Sequence, residues 1–368
     1  MVNERLSRMN EGFGFEHSSV ESAFKDLVLG FYRYETRTEE YSYEDRLMTR
    51  RNSRDGDVIQ LLVPVNITFT DPTNRVLLNP IRDCNPFFHV FETLWMLSGS
   101  DDLEPLLYYI KDFGRYSDDG KTLHGAYGKR WRNQFGFDQI LAISEELKDN
   151  PDSRRCVLQM WDSTNWITPE GPVGKRDLHN AMNGGKDVPC NTHAYFLIND
   201  GKLDMTVCNR SNDLIWGMLG ANVVHFSFLQ EYVARMVNVP IGRYNQFTNN
   251  LHVYTSRWNP EGYIRHADNY ISINKSLTEN GARVPFDVHR PICTDFTTIA
   301  PQYRGDTSRW EGQSEFISKV ASPMMRAHYY YKERDTIKAI DATNDIEDSF
   351  WKMAASEWIL RREATRVT

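Results

Sequence analysis

189-PCNTHAYFLINDGKLDMTVCNRSND-213 is the stretch on which the reading of this chain turns. Apolar and polar residues alternate through it, the period of a half-buried strand. A proline-preceded thiol, Cys190, stands at one end, and Arg210-Ser211-Asn212-Asp213 forms a turn at the other. A sulfur nucleophile facing a cationic, hydroxyl-bearing turn suits an anionic, electrophilic substrate. Cys190-x-x-His193 has no second pair at ligand spacing, so no metal is expected.

Upstream, Asn85-Pro86 starts a helix, with Asn as N-cap and Pro at the first helical position. Its body, FFHVFETLWMLSG (87–99), is apolar nearly all round, so it reads as a core helix. Glu92 sits in its middle, and a buried carboxylate needs a partner or a raised pKa. A structural partner and a catalytic acid/base both fit it. VIQLLVPVNITF (58–69) reads as strand, with Pro64 at an edge or bulge. A helix is expected over 138–147, and 150–155 is a turn into the strand CVLQMW. Arg154 and Arg155 at that strand's start suit either a solvated edge or an anion clamp. Residues 162–188 are loop-like and read as an insertion.

Downstream, 222–237 reads as an apolar helix, and His193 and His225 as core histidines. LHVY (251–254) puts His252 and Tyr254 on one face of an extended segment. Beyond residue 310 two helices are expected, over 322–342 and 345–362.

The 368 residues carry a net charge of −7, which points away from a nucleic-acid coat or an anionic membrane surface. No apolar run reaches membrane-spanning length, and the first residues contain no signal-peptide core. Five scattered cysteines fit a reducing compartment, hence the cytoplasm, better than a disulfide framework.

With these residues laid out, the chain resembles the thymidylate synthase superfamily, which includes pyrimidine nucleotide hydroxymethylases. RRNSRDGD (50–57), FHVFETLWMLSG (88–99), GAYGKRWR (125–132), PDSRR (151–155), PCN, DGKL, RSND and LHVY follow the family's blocks in order over about residues 45–260. The resemblance implies an α/β (α+β) fold, a large mixed sheet with flanking helices, over 1–310; the change of pattern beyond it reads as a C-terminal helical extension, 311–368. It implies Cys190 as nucleophile, Glu92 as the carboxylate that manages protons, and Tyr127 as an active-site tyrosine. Arg54, Arg210 and Ser211 would hold the nucleotide phosphate, His252 and Tyr254 the sugar, and Asp213 and Phe113 the folate side. Arg154 and Arg155 would reach the neighbouring subunit's site in a homodimer. The implied cofactor is 5,10-methylenetetrahydrofolate. In that chemistry Cys190 adds to carbon 6 of a pyrimidine, which makes carbon 5 enolate-like and able to attack a one-carbon iminium.

The departures bear on base and product. The family's base-reading asparagine follows G-x-P-F-N, whereas here the segment is Gly217-Met-Leu-Gly-Ala-Asn222, one residue longer and without proline. Asn222 fits the reader and favours uracil; it equally fits an N-cap for the helix that follows. Asn191 stands where many synthases carry histidine, and Phe113 and Tyr116 stand for tryptophans. Two extra helices replace the short apolar tail that shields the intermediate from water. Together these lean toward hydration of the exocyclic methylene, hence hydroxymethyl transfer to deoxyuridylate, as in phages with modified DNA. The alternatives are reduction to thymidylate, hydroxymethylation of a cytidine nucleotide, and a non-catalytic nucleotide-binding relative. The joint presence of Cys190, Glu92, Tyr127 and the arginines argues against the last.

Overall fold

The computed structural model describes residues 14–35, 48–53, 55–163, 167–168, 171–172, 177–287 and 314–367. Twelve strands lie among these: β1 (Phe15–His17), β2 (Met48–Ser53), β3 (Gly56–Leu61), β4 (Val65–Phe69), β5 (Val157–Gln159), β6 (Ile167–Thr168), β7 (Gly171–Pro172), β8 (Asn191–Asn199), β9 (Lys202–Asn209), β10 (Asn212–Asp213), β11 (Ile241–Thr248) and β12 (Leu251–Tyr254). A six-stranded mixed sheet runs β1-β4-β11-β9-β8-β5, and a four-stranded one runs β10-β12-β3-β2. The expected mixed sheet with flanking helices is what the chain forms.

The alternating run that opened the reading is a hairpin rather than one strand. Asp200 and Gly201, at φ 48° and 71°, make its two-residue turn between β8 and β9, the left-handed geometry a tight hairpin requires. The strand expected over 58–69 is also two. At Pro64, which has no N–H to donate, the chain leaves the smaller sheet after β3 and enters the larger as β4.

The larger sheet has one covered face and one open face. Ala194, Phe196, Leu203, Met205, Val207 and Tyr244 are buried under helix α6 (Val223–Val237). Val157, Tyr195, Leu197 and Phe247 point the other way and are each about 40% exposed.

After α1 (Val20–Glu35), helix α2 (Pro86–Leu97) is capped as the sequence predicts: Asn85 Oδ1 accepts from the Phe88 amide at 3.1 Å, with Pro86 in the first turn. It crosses α6 and the short helix α3 (Tyr127–Arg132). Gly128 makes the latter approach possible, since a Cβ there would lie 2.0 Å from the Met96 carbonyl oxygen. Helix α4 (Gln139–Asp149), N-capped by Asp138, matches the expected helix.

The insertion is not all loop. Helix α5 (Asp177–Met182) lies in it, and Asp177, fully buried, accepts from both terminal nitrogens of Arg130 at 2.7 and 2.9 Å and contacts His124 at 2.8 Å. That ion pair fastens the segment to α3. Arg132 is buried as well, and Lys129, paired with Asp101, is the surface member of the three.

Three C-terminal helices replace the expected two: α7 (Ser322–Lys332), α8 (Thr336–Asn344) and α9 (Ser349–Val367). The break falls at Arg334, whose φ of 64° no helix accommodates. These helices share one buried cluster with the rest of the chain. Trp358 of α9 meets Phe87 of α2 edge-on at 5.3 Å, and Arg361 and Arg362 both donate to Asp83, two residues before the α2 cap, at 2.7 Å. Trp358→Ala should therefore cost about 3–5 kcal/mol, seen as a lower denaturant midpoint. An unchanged midpoint would show that α9 lies outside the cooperative core.

Candidate active site

β8 and β9 pair in strict antiparallel register until a one-residue shift between Asn191 and His193. The bulge leaves Thr192 unpaired and sets residue 190 across from residue 210. The Arg210 amide donates to the Cys190 carbonyl at 2.9 Å. The Arg210 side chain then folds back along the segment leading into Cys190: Nε donates to the Pro189 carbonyl at 2.8 Å and Nη2 to that of Val188 at 3.0 Å. Nη2 also lies 3.8 Å from the Cys190 sulfur. The guanidinium remains exposed, so it meets solvent and thiol together.

Tyr127 fixes the other side. Its hydroxyl accepts from the amides of Cys190 and Asn191, both at 3.0 Å. Burial, then the nearby Cys190 charge, push its hydroxyl far above the ordinary phenol range. Tyr127 thus stays neutral and serves as an acceptor.

Glu92, on α2, is pushed up to about 8 by burial. Its Oε2 lies 3.2 Å from His225 Nε2 on α6, and burial lowers that imidazole to about 3. At pH 7 the carboxyl holds its proton and the ring is neutral, so the contact is not an ion pair. His225 Nε2 has no hydrogen-bond partner among the described residues. His89 stacks edge-on behind it at 5.8 Å. The sequence treats His225 as a core histidine; the structure makes it the neighbour of the Glu92 carboxyl. Its three-residue offset from Asn222 gives no signal that α6 faces α2 there.

Asn222 ends a run of π-helical turns, Leu214–Asn222. A π turn takes one more residue per turn than an α turn, and this is how the longer Gly217–Asn222 segment fits. Asn222 has helical φ and ψ of −65° and −45° and makes no cap hydrogen bond, which rules out the N-cap reading. It is buried against Asn191 and Asn212.

Parallel pairing of β10 with β12 sets Asp213 beside His252. His252 and Tyr254 share a face as expected, ring centroids 5.3 Å apart, and burial lowers the imidazole and raises the phenol. Tyr254 senses the charges of Asp213 and Cys190, which puts the β12 pair at the same site; Ser211 lies in the turn between them. Asp213 accepts from the Trp216 amide at 2.7 Å, and burial lifts its carboxyl to about 6.

Trp216, which the sequence reading passed over, is 41% exposed with Arg82 at 4.0 Å and Arg257 at 5.1 Å from its ring. An exposed tryptophan in an apolar stretch leaves no mark in the sequence pattern. Phe113, in a 3-10 helix over Lys111–Tyr116, packs on Phe88 and Tyr116, each at 5.5 Å. Arg154 and Arg155 are not brought to Cys190 in this protomer. Both are exposed at the edge strand β5, and Arg155 donates to Glu146 at 2.7 Å. Arg54 lies outside the described residues.

The thymidylate synthase family model matches residues 45–279. The deoxyuridylate hydroxymethyltransferase of Pseudomonas phage M6 is 40% identical over 323 residues, 86% of this chain and 88% of that one. The deoxyuridylate hydroxymethyltransferase of Bacillus phage SP01 is 39% identical over 209 residues, 54% of this chain and 51% of that one. The solved thymidylate synthase from T4 phage aligns with 68% of this chain and 79% of its own, at 22% identity and a TM-score of 0.46.

The raised Glu92 carboxyl has a measurable sign. A group whose pKa is higher folded than unfolded stabilises fully below its unfolded value, here about 4.5, and that contribution is lost as pH rises through about 8. Glu92→Gln removes the loss, so the variant's melting temperature relative to the parent should climb between pH 5 and pH 9. A constant difference over that range would mean that Glu92 is ionised throughout.

Proposed function

This chain belongs to the thymidylate synthase family, a transferase that moves one-carbon units to carbon 5 of a pyrimidine nucleotide, and we propose that it converts deoxyuridylate to 5-hydroxymethyldeoxyuridylate. The likeness to a deoxyuridylate hydroxymethyltransferase, 40% identical over 86% of this chain, carries the choice of product, and the Glu92–His225 contact offers proton chemistry that either product needs. A carboxyl that holds a proton at neutral pH, beside a neutral imidazole, can accept a proton from water on one side while relaying its own on the other. Relatives named for deoxyuridylate hydroxymethyl transfer support it.

In this reading Cys190 supplies the sulfur that bonds carbon 6, and the Arg210 guanidinium at 3.8 Å favours negative charge on that sulfur. Tyr127 holds the nucleophile's backbone still through two amides. Arg210 and Ser211, with Arg54, bind the phosphate, and His252 and Tyr254 the sugar. Carbon 5 gains the one-carbon unit and loses its proton, and the folate carrier departs from that carbon as the leaving amine. Water then adds to the exocyclic methylene, and Cys190 leaves carbon 6 as Glu92 manages the protons. Asn222 reads the base.

The folate face fits its partner by chemistry: an exposed indole, the Phe113 ring and the Asp213 carboxylate suit a flat heteroaromatic ring with N–H donors. 5,10-Methylenetetrahydrofolate supplies the one-carbon unit when bound there. Asp213, Trp216 and Phe113 would hold it.

A homodimer completes the site in this reading. The open sheet face carries Val157 beside Tyr195, then Leu197 on the same strand, with Phe247 two strands away, and Arg154 and Arg155 at its β5 edge would reach a partner's phosphate. No helix among the described residues is long and apolar enough to cross a membrane. The phage relatives and the absence of a disulfide at Cys84, Cys156 and Cys208 support a place in the host cytoplasm.

Two experiments test this. Incubated with methylenetetrahydrofolate and deoxyuridylate, the protein should yield a nucleotide heavier by a hydroxymethyl group with no dihydrofolate absorbance, and Cys190→Ala should lose at least about a thousandfold in turnover while still binding nucleotide. Thymidylate with equimolar dihydrofolate would overturn the product, and use of deoxycytidylate alone would overturn the base. Separately, Tyr195→Glu with Leu197→Glu should shift sedimentation from dimer to monomer and raise KM for the nucleotide. Monomeric parent protein at micromolar concentration would remove the shared site.

A further inference from the structure

Asn222 belongs to a row of four buried side-chain amides. Gln246 Nε2 donates to the backbone carbonyl of Met218 at 3.0 Å. Asn212 Nδ2 donates to Gln246 Oε1 and to Thr248 Oγ1, both at 3.4 Å. Asn222 Nδ2 donates to Asn212 Oδ1 at 3.0 Å, and Asn191 Nδ2 to Asn222 Oδ1 at 3.3 Å. All four side chains are more than nine-tenths buried. Gly217 leaves the row its room, because a Cβ there would stand 2.4 Å from Asn212 Oδ1.

The direction of this row is not arbitrary. A carbonyl only accepts, so Met218 decides which end of Gln246 faces it. Gln246 then presents its oxygen to Asn212, Asn212 its oxygen to Asn222, and Asn222 its oxygen to Asn191. Reversing any one amide would oppose two donors or two acceptors in a buried place, where an unmet polar group costs most.

That direction has a consequence for the base. An asparagine amide has nearly the same outline when turned over, with donor and acceptor exchanged. One orientation offers its acceptor to N3–H and its donor to O4 of a 4-keto pyrimidine; the other matches N3 and the amine of a 4-amino pyrimidine. Asn222 alone does not choose between them. With one N–H committed to Asn212 and one lone pair to Asn191, its remaining N–H and lone pair are held in a single arrangement.

We propose that the choice between a 4-keto and a 4-amino pyrimidine is made by this relay, with Asn191, Asn212 and Gln246 as positioning residues that lock the amide of Asn222. The inference rests on Asn222 being the base reader. Asn191, which follows the nucleophile directly, thereby has a part in specificity without touching the base.

The test is the ratio of kcat/KM for deoxyuridylate over deoxycytidylate in the full-length protein. Gln246→Met keeps the side chain's length but cannot donate to Met218, and Asn191→Ala removes the donor at the other end. Each should narrow the ratio by about tenfold, as expected when one bidentate base contact loses its fixed polarity. A structural defect alone would lower both rates and leave the ratio in place. If both relay variants keep the parent ratio while Asn222→Ala loses it, the relay is overturned and the reader stands. If Asn222→Ala also keeps the ratio, the reader itself is wrong. Should Gln246→Met fail to fold, Asn191→Ala at the far end of the row carries the decision alone.

Discussion

Arg210 hydrogen-bonds two consecutive carbonyls of the segment that leads into Cys190, and the geometry around that thiol depends on this grip. Planar guanidinium donors to Val188 and Pro189 hold the approach to Cys190 in one path, while the bulge between Asn191 and His193 puts residue 190 across from Arg210 in the first place. Without the one-residue shift, the cation and the sulfur would lie on different rungs. The same side chain thus shapes the backbone, charges the thiol's surroundings and meets solvent, where an anion would arrive. A lysine, with a single nitrogen on a flexible stem, could not do all three at once.

Around that centre the chain uses burial to set protonation. Glu92 and His225 are both neutral at pH 7 because each would be charged at the expense of its hydration. Asp177 is the opposite case: burial works against its charge, yet hydrogen bonds from His124 and Arg130 hold its carboxyl below its ordinary value. One buried carboxyl is therefore available for proton traffic and the other for anchoring. Removal of Arg130 would leave Asp177 charged and alone, the costly way to break a buried pair. The anchoring pair joins α5 to the helix that carries Tyr127, so a segment that looks like an appendage steadies the side chain that holds the Cys190 and Asn191 amides.

Much of this was legible in the sequence because local rules governed it. Asn85-Pro86 announced a helix start, alternation announced β8 and β9, and the i, i+2 spacing of His252 and Tyr254 put them on one face. What was not legible depends on how elements meet. Nothing local says that α6 turns His225 toward Glu92, or that Trp216 is left in solvent between two arginines. Pro64 was read as an irregularity within one strand, yet it separates two sheets, since a missing donor says only that a ladder is interrupted. The third C-terminal helix hid behind Arg334, a residue with no turn propensity to mark the break. Arg154 and Arg155 kept both readings, because exposure in one protomer is what an edge and a reach toward a partner have in common.

The π-helical turns over Leu214–Asn222 give the fold a place to store a residue. Both ends are fixed: Asp213 lies in a sheet beside His252, and α6 is locked in the core. The slack lies between the group that would hold the phosphate and the group that would read the base. A residue can be taken up or let out there without turning the faces of α6 or moving Cys190. In evolutionary terms, the distance between those two recognition elements is adjustable in single-residue steps while the catalytic frame stays constant. A lineage that changes its pyrimidine has, in this segment, somewhere to make the change.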